Sequence, residues 1–161
     1  MFFGVTLLQD IHVLISLIGI AAGLVVVYGL VKSQRMEGMT LLFLITTLLT
    51  NLTGFLFPFG GFTPALGVGV IGTIVMLICL YARYGQGMNG IWRSIYVVTA
   101  VLSLYLNVFV LVVQLFLKVP ALHAFAPNGN EPPFAIVQAL VLLAAIIWGW
   151  FATRRFRPLE L

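Results

Sequence analysis

Five long apolar segments make up most of this chain, and its basic residues lie at the ends of those segments. Seven of the eight lysines and arginines fall in the first gap, around the third gap, or after the fifth segment: Lys32, Arg35, Arg83, Arg93, Arg154, Arg155 and Arg157. Such residues near the ends of membrane helices stay on the cytoplasmic side. The pattern therefore predicts five crossings, with the N-terminus outside and the C-terminus cytoplasmic. Lys118 alone lies on the predicted outer side.

The composition excludes an ordinary water-soluble domain. Of the 161 residues, 62% are hydrophobic and only 7% are charged, whereas about 25% charged residues is usual for a soluble protein. The net charge of +4 is spread over three short edges. This distribution predicts contacts with anionic lipid headgroups and no binding of nucleic acid. We expect residues 1–161 to form one all-α membrane domain.

The lengths of the apolar segments set the expected helices. A helix needs about 20 residues to cross the hydrocarbon core, and each segment meets that length. We predict helices over about 11–31, 39–57, 64–82, 94–119 and 133–152. Residues 58–64 are rich in glycine and proline and predict a tight turn. The N-terminal residues lack the basic start of a cleavable signal peptide, so we expect the first helix to be retained.

Polar residues fall on one face of several predicted helices, and we expect these faces to point into the bundle, because unpaired polar groups are costly in hydrocarbon. By the predicted topology most of them lie in the outer half, where residues 120–132 could form a cover. The sequence therefore predicts a polar pocket between helices one, two, four and five. The candidate ligand-binding residues are His12, Ser16, Thr50, Thr53, Asn107, Gln114, Lys118, His123 and Gln138.

The chemistry of these side chains leaves several interpretations open. His12 and His123 could ligate haem, or join Asp10 and Glu131 around a divalent metal, since imidazole and carboxylate are suitable ligands. Their spacing is not that of a metal motif, so no metal site is predicted. His12 could instead accept a proton from a quinol-like ligand. In the simplest alternative the stripes only form interhelical hydrogen bonds, each worth about 0.6 kcal/mol.

Two motif matches predict structure rather than chemistry. Gly67, Gly69 and Gly72 fit G-x-G-x-x-G, but no strand precedes them, so they indicate close helix packing and not dinucleotide binding. The glycosylation sequon at Asn51 lies inside a predicted membrane helix. Paired carboxylates and nucleophile triads are absent from the sequence, so no catalytic residue is assigned and an enzyme is disfavoured.

Three stretches carry a resemblance. Residues 106–114 (LNVFVLVVQ), 118–123 (KVPALH) and 131–134 (EPPF) resemble a stretch of uncharacterised bacterial small multi-pass inner-membrane proteins. In size and hydropathy the chain is also similar to the DoxX-like small membrane proteins. The first resemblance implies a bacterial inner membrane as the location and implies no activity.

These observations predict a multi-pass inner-membrane protein that binds a small amphiphilic or redox-active ligand, quinone-like or haem, in the outer half of the bundle. An alternative is a non-catalytic accessory or structural subunit of a larger membrane complex. A third is a channel or transporter formed by a homo-oligomer, with helix four at its axis. Membrane lipids are the expected partners in each case.

Overall fold

The computed structural model describes residues 7–58, 61 and 63–157, and every regular element in these ranges is helical. The all-α prediction is therefore confirmed for the described residues. The helices are α1 (Leu7–Val31), α2 (Glu37–Gly54), α3 (Pro64–Leu80), α4 (Ile91–Lys118), α5 (Pro120–His123) and α6 (Pro132–Arg155). A π-helical turn, Tyr81–Gly85, continues α3. The predicted turn at residues 58–64 falls partly outside the described residues, as does the start of the chain.

Four of the described helices are long and apolar enough to cross a membrane: α1, α3 with its π-helical turn, α4 and α6. They also expose large apolar side chains such as Leu14, Ile71 and Ile146, which indicates a membrane protein. Helix α2 has only 18 residues and carries several threonines, although its length of about 27 Å approaches the thickness of the hydrocarbon core. Five crossings and the orientation of the termini stay predictions.

Local chemistry accounts for several helix ends. The Thr63 hydroxyl accepts a hydrogen bond from the Leu66 amide at 3.2 Å, and Pro64 occupies the first helical turn of α3, as expected for an N-cap followed by proline. Val119 is extended before Pro120, because proline disfavours helical geometry in the preceding residue. Helix α4 therefore ends at Lys118, and the chain changes direction at Val119.

The densest packing lies at one end of the bundle, where α1 and α6 end and α4 begins. Phe43, Met76, Tyr96 and Phe156 are fully buried there together. Glycine allows α1 to approach closely: a Cβ atom added at Gly23 would lie 2.8 Å from Leu104 and Phe43 side-chain atoms. The side of α1 that carries Gly19 and Gly23 therefore faces protein.

Arg83, which the sequence presents as a topology signal, is buried in this end of the bundle. Its guanidinium pairs with the half-exposed Glu37 carboxylate and lies 5.1 Å from the centre of the Tyr96 ring. The π-helical turn therefore joins α2 to α4 through one cation. Removing the anion leaves a buried charge without its partner, which is more costly than removing both.

We therefore expect Glu37→Gln to lower the free energy of unfolding by about 1–2 kcal/mol, the lower part of the range for charged hydrogen bonds because Glu37 is half exposed. The Glu37→Gln, Arg83→Met double variant should recover part of that loss. Equilibrium unfolding in mixed micelles measures both. Equal losses in the single and double variants would contradict a role for the pair.

Candidate functional site

A cavity of about 510 Å³ lies among α1, α2, α3 and α4. It extends towards the end of the bundle where α1 begins and α4 ends. We call it the four-helix cavity. Its deep end is formed by Thr47, Ser103 and Asn107, near the middle of their helices, and its terminal end by His12 and Lys118. No described residue of α6 lines it, whereas Leu66, Gly69 and Gly72 of α3 do. The fifth apolar helix, which was predicted as one wall of the pocket, does not line this cavity, and α3 takes its place.

Six of the nine predicted ligand-binding residues line this cavity. They are His12, Ser16, Thr50, Asn107, Gln114 and Lys118. The polar faces predicted from helical periodicity on α1, α2 and α4 thus meet around one space. Apolar side chains such as Leu17, Phe55 and Leu111 fill the wall between the polar positions. The cavity is therefore amphiphilic rather than uniformly polar.

Three predicted residues do not line the cavity. Thr53 contacts the His12 ring, at 2.9 Å from Nδ1. His123 follows the chain away from α4 at Pro120, and its Nδ1 lies 3.2 Å from the Phe116 carbonyl oxygen. Gln138 donates from Nε2 to the Phe109 carbonyl oxygen at 3.1 Å, which ties α6 to α4. The interpretation of the stripes as interhelical hydrogen bonds thus applies to Gln138.

The His12 hydrogen bond indicates which ring nitrogen is free to accept. The Thr53 hydroxyl donates its one proton to its own helix, where the Leu49 carbonyl oxygen lies at 2.7 Å. When it donates there, it accepts from His12, and the proton of the neutral ring then lies on Nδ1 with Nε2 as the acceptor. Because His12 lines the cavity, it offers an acceptor at the terminal end.

Most threonines of α2 bond to their own helix instead of to neighbours. Thr46 donates to the Leu42 carbonyl at 2.7 Å, and Thr50 donates to the Thr46 carbonyl at 2.8 Å. Such back-bonding satisfies a hydroxyl in an apolar setting without an interhelical partner. The hydroxyl protons of these two residues are therefore used within α2 and not between helices.

The deep end holds polar atoms that lack a partner. Asn107 donates from Nδ2 to the Thr47 hydroxyl at 3.2 Å. Ser103 is 2% exposed, and its Oγ has no hydrogen-bond partner within the described ranges. The buried Asn51 Nδ2 likewise finds none in the described part of the chain. Buried polar groups are normally paired, so two unpaired donors on residues that line one cavity are the unusual feature of its deep end.

Asn51 was not among the predicted site residues, because it was considered only as a glycosylation sequon. A signal was present: Thr47 and Asn51 are four residues apart and so share a face of α2. The glycines of α3 lie against this face. A Cβ atom at Gly72 would stand 3.2 Å from Asn51 Oδ1, and one at Gly69 would stand 3.4 Å from Phe55. Close packing of α3 on α2 accounts for these glycines.

The candidate metal ligands are not brought together. No group of three or more His, Cys, Asp and Glu side chains with metal-binding geometry occurs among the described residues. Glu131 instead accepts hydrogen bonds from the Asn128 side chain at 2.7 Å and from the Asn130 amide at 3.1 Å. Desolvation opposes ionisation of this carboxyl, but the hydrogen bonds from Asn128 and Asn130 prevail and lower the pKa of Glu131.

Residues 120–131 do not cover the cavity. Ala126 is buried against Val112 and Phe116 of α4, with Phe134 of α6 beside them. This small apolar cluster fills the angle between α4 and α6. Of the described residues in this stretch, none lines the four-helix cavity. The segment that was expected to cover the pocket packs between α4 and α6 instead. The sequence does not show which side of α4 this segment packs against.

No protein-family model, curated protein or solved structure matches this chain. The likeness to small bacterial inner-membrane proteins stays a prediction.

Proposed function

We propose that this protein binds a small amphiphilic ligand with a quinone-like headgroup in the four-helix cavity. The observation that carries the proposal is a cavity of about 510 Å³ whose lining includes Ser103 and Asn51, two residues with buried, unpaired side-chain donors, Ser103 Oγ and Asn51 Nδ2. Small-molecule sites typically have volumes of about 300–1,000 Å³ and combine an apolar wall with a few polar groups. Both properties are found together here.

The hydrogen-bonding character of the cavity favours an acceptor headgroup. A quinone carbonyl oxygen accepts hydrogen bonds, which is what the Ser103 hydroxyl and the Asn51 amide need in order to be satisfied. At the terminal end, the acceptor nitrogen of His12 suits the hydroxyl of the reduced quinol. The apolar wall suits the ring and its tail. The four-helix cavity thus fits an amphiphile with an oxygen-bearing ring and does not require a catalytic step.

Haem is a weaker candidate for the same cavity. One imidazole, His12, lines it, and the lining holds no second histidine, methionine or cysteine in the described structure. A haem would therefore have His12 as its only axial side-chain ligand from this lining. The polar donors at the deep end also have no clear use beside an iron porphyrin. We retain haem as an outcome of the experiment.

An accessory or structural subunit is the second candidate function. The observation in its favour is that several predicted site residues already have protein partners: His12 with Thr53, Asn107 with Thr47, and Gln138 with α4. In addition, α6 buries only Ala152 fully and leaves an apolar face outward. A channel with helix four at an oligomer axis is disfavoured, because Ser103 and Asn107 face a cavity inside a single copy.

The proposal includes a bacterial inner-membrane location with five crossings. The close packing of α2 along α1 at Gly19 and Gly23 supports α2 as the fifth crossing. With the N-terminus outside, the four-helix cavity lies in the outer half of the membrane, and Arg35, Arg93 and Arg157 lie near the cytoplasmic headgroups.

Purification in mild detergent, followed by solvent extraction and chromatography, tests the ligand directly. We expect a quinone in near-stoichiometric amount, together with a change in its absorbance on reduction. A haem absorbance band would identify haem, and not a quinone, as the ligand. Neither ligand, with a constant set of co-purifying proteins, would contradict the binding proposal and favour the accessory subunit.

A further inference from the structure

A second cavity, of about 290 Å³, lies at the opposite end of the bundle from the terminal end of the four-helix cavity. Its described lining consists of three arginines and a short loop: Arg35, Arg93 and Arg157 with residues 87–90. We call it the arginine cavity. The three arginines come from the α1–α2 connection, the first turn of α4 and the segment after α6. The fold therefore assembles this cavity from three distant parts of the sequence.

Specific hydrogen bonds hold the two chain segments that carry Arg35 and Arg157 together. The Arg157 amide donates to the Ser33 hydroxyl at 2.9 Å, across 124 residues of sequence. The Arg93 guanidinium donates to the Phe156 carbonyl oxygen. Phe156 itself is fully buried in the core beside Tyr96. The backbone position of Arg157 is thus fixed by these contacts.

Among the described residues, the charge in this cavity is unbalanced. None of its described lining residues is acidic, and Glu37, the acidic residue of the nearby α2 N-terminus, pairs with Arg83 instead. Three cations around one space repel one another, and an anion bound among them removes that cost. The guanidinium groups also supply forked donors that match the oxygens of a phosphate.

The loop of residues 87–90 brings the N-terminus of α4 to the same cavity. Gly87, Met88 and Gly90 all have positive φ values, between 56° and 60°, and they lead into the N-terminus of the 28-residue helix α4. No side chain caps this helix in the described structure. The positive end of the helix dipole favours an anion at such a position.

We propose that the arginine cavity binds a phosphate group. Its chemistry fits equally a phospholipid headgroup at the membrane surface and a phosphate or phosphate ester from solution. This site is independent of the ligand in the four-helix cavity, since the two sets of lining residues share no member.

The test uses the full chain in phosphatidylcholine nanodiscs, whose headgroup choline offsets the phosphate charge, and in nanodiscs of equal parts phosphatidylcholine and phosphatidylglycerol. Inorganic phosphate is titrated into the first set at constant ionic strength, with chloride as the reference anion. The unfolding temperature reports binding, because a ligand specific for the folded state raises it. We expect a rise with phosphatidylglycerol, with inorganic phosphate, or with both.

Arg35→Gln, Arg157→Gln is the test variant, and Arg154→Gln, Arg155→Gln is the matched control. The control removes the same charge near the same end of α6, but its arginines lie over the Trp150 and Phe151 rings and outside the arginine cavity. To reach the same rise in unfolding temperature, the test variant should need about tenfold more phosphate or anionic lipid for each strong hydrogen bond lost. The control should behave like the unmodified protein.

The two arms separate the sources of phosphate. A rise only with phosphatidylglycerol identifies a lipid headgroup, and a rise with inorganic phosphate in phosphatidylcholine identifies a soluble ligand. No rise in either arm, or equal losses in the test and control variants, would overturn the proposal. Unfolding in phosphatidylcholine alone verifies that the variants fold, and Arg35→Gln alone serves if the double variant does not.

Discussion

Replacing Ser103 by leucine is expected to weaken binding of a short-chain benzoquinone by more than tenfold. Ser103 is 2% exposed and lies at the deep end of the four-helix cavity, so the larger side chain would occupy the space of the headgroup and remove a donor. A loss of about 1.4 kcal/mol already corresponds to tenfold, and one hydrogen bond together with a steric clash exceeds this. Titration of the purified variant with the benzoquinone measures the change.

Two comparison variants sharpen this experiment. Ser94→Leu makes the same substitution on α4 but outside the cavity lining, and it should leave the affinity unchanged. Ser103→Ala removes only the unpaired hydroxyl. We expect it to stabilise the ligand-free protein by up to about 1 kcal/mol, because a buried unsatisfied group is removed, while it weakens the benzoquinone complex. An unchanged affinity in Ser103→Leu would place the ligand elsewhere.

The second large effect concerns the core next to α1. Leu44 is 1% exposed, and Leu44→Ala is expected to lower the free energy of unfolding by about 2–3 kcal/mol. Leucine-to-alanine changes in soluble cores cost about 2.7–5 kcal/mol. The lower value is expected here because helices that separate in lipid keep their side chains in an apolar medium, so mainly packing is lost. Reversible unfolding in mixed micelles measures the difference.

Leu41→Ala is the control, since Leu41 lies on the same helix and is 50% exposed. It should cost less than about 0.5 kcal/mol, as expected for a surface position. Equal losses of unfolding free energy at the two positions would mean that α2 does not pack against α1 by the face that carries Leu44. The pair of variants therefore tests the side of α2 that faces the bundle, which the four-helix cavity also requires.

The helices could be predicted well because length, proline and glycine control them locally. The predicted starts at residues 64 and 133 agree closely with Pro64 and Pro132. Two other helix boundaries were predicted less accurately. Helix α2 stops at Gly54 instead of residue 57, and α4 begins at Ile91 instead of residue 94. The π-helical turn after α3 was not foreseen, because it depends on the burial of Arg83 against α2 and α4.

The candidate site could be predicted only in part. Helical periodicity indicates which residues share a face, and it correctly grouped His12 with Ser16 and Asn107 with Gln114. It does not indicate which helices are neighbours, so α6 was chosen in place of α3. Asn51 was missed because it was considered only as a glycosylation sequon. Gln138 was included although its amide bonds to α4.

The arginine cavity also could not be predicted, because the sequence does not indicate which segments are neighbours in the fold. The basic residues indicate an orientation in the membrane, and sequence arguments treat them as equivalent. In the folded chain Arg83 is paired and buried, Arg154 lies over Trp150, and Arg35, Arg93 and Arg157 line one space. Only the packing of the α6 end against the α1–α2 connection separates these roles.

An experimental density map of the protein in lipid nanodiscs tests the central claim most directly. Binding predicts non-protein density in the four-helix cavity within hydrogen-bonding distance of Ser103 Oγ and Asn51 Nδ2, and loss of that density in Ser103→Leu. A closed cavity in which those two atoms bond to protein groups would contradict the proposed function and leave the accessory subunit as the better account.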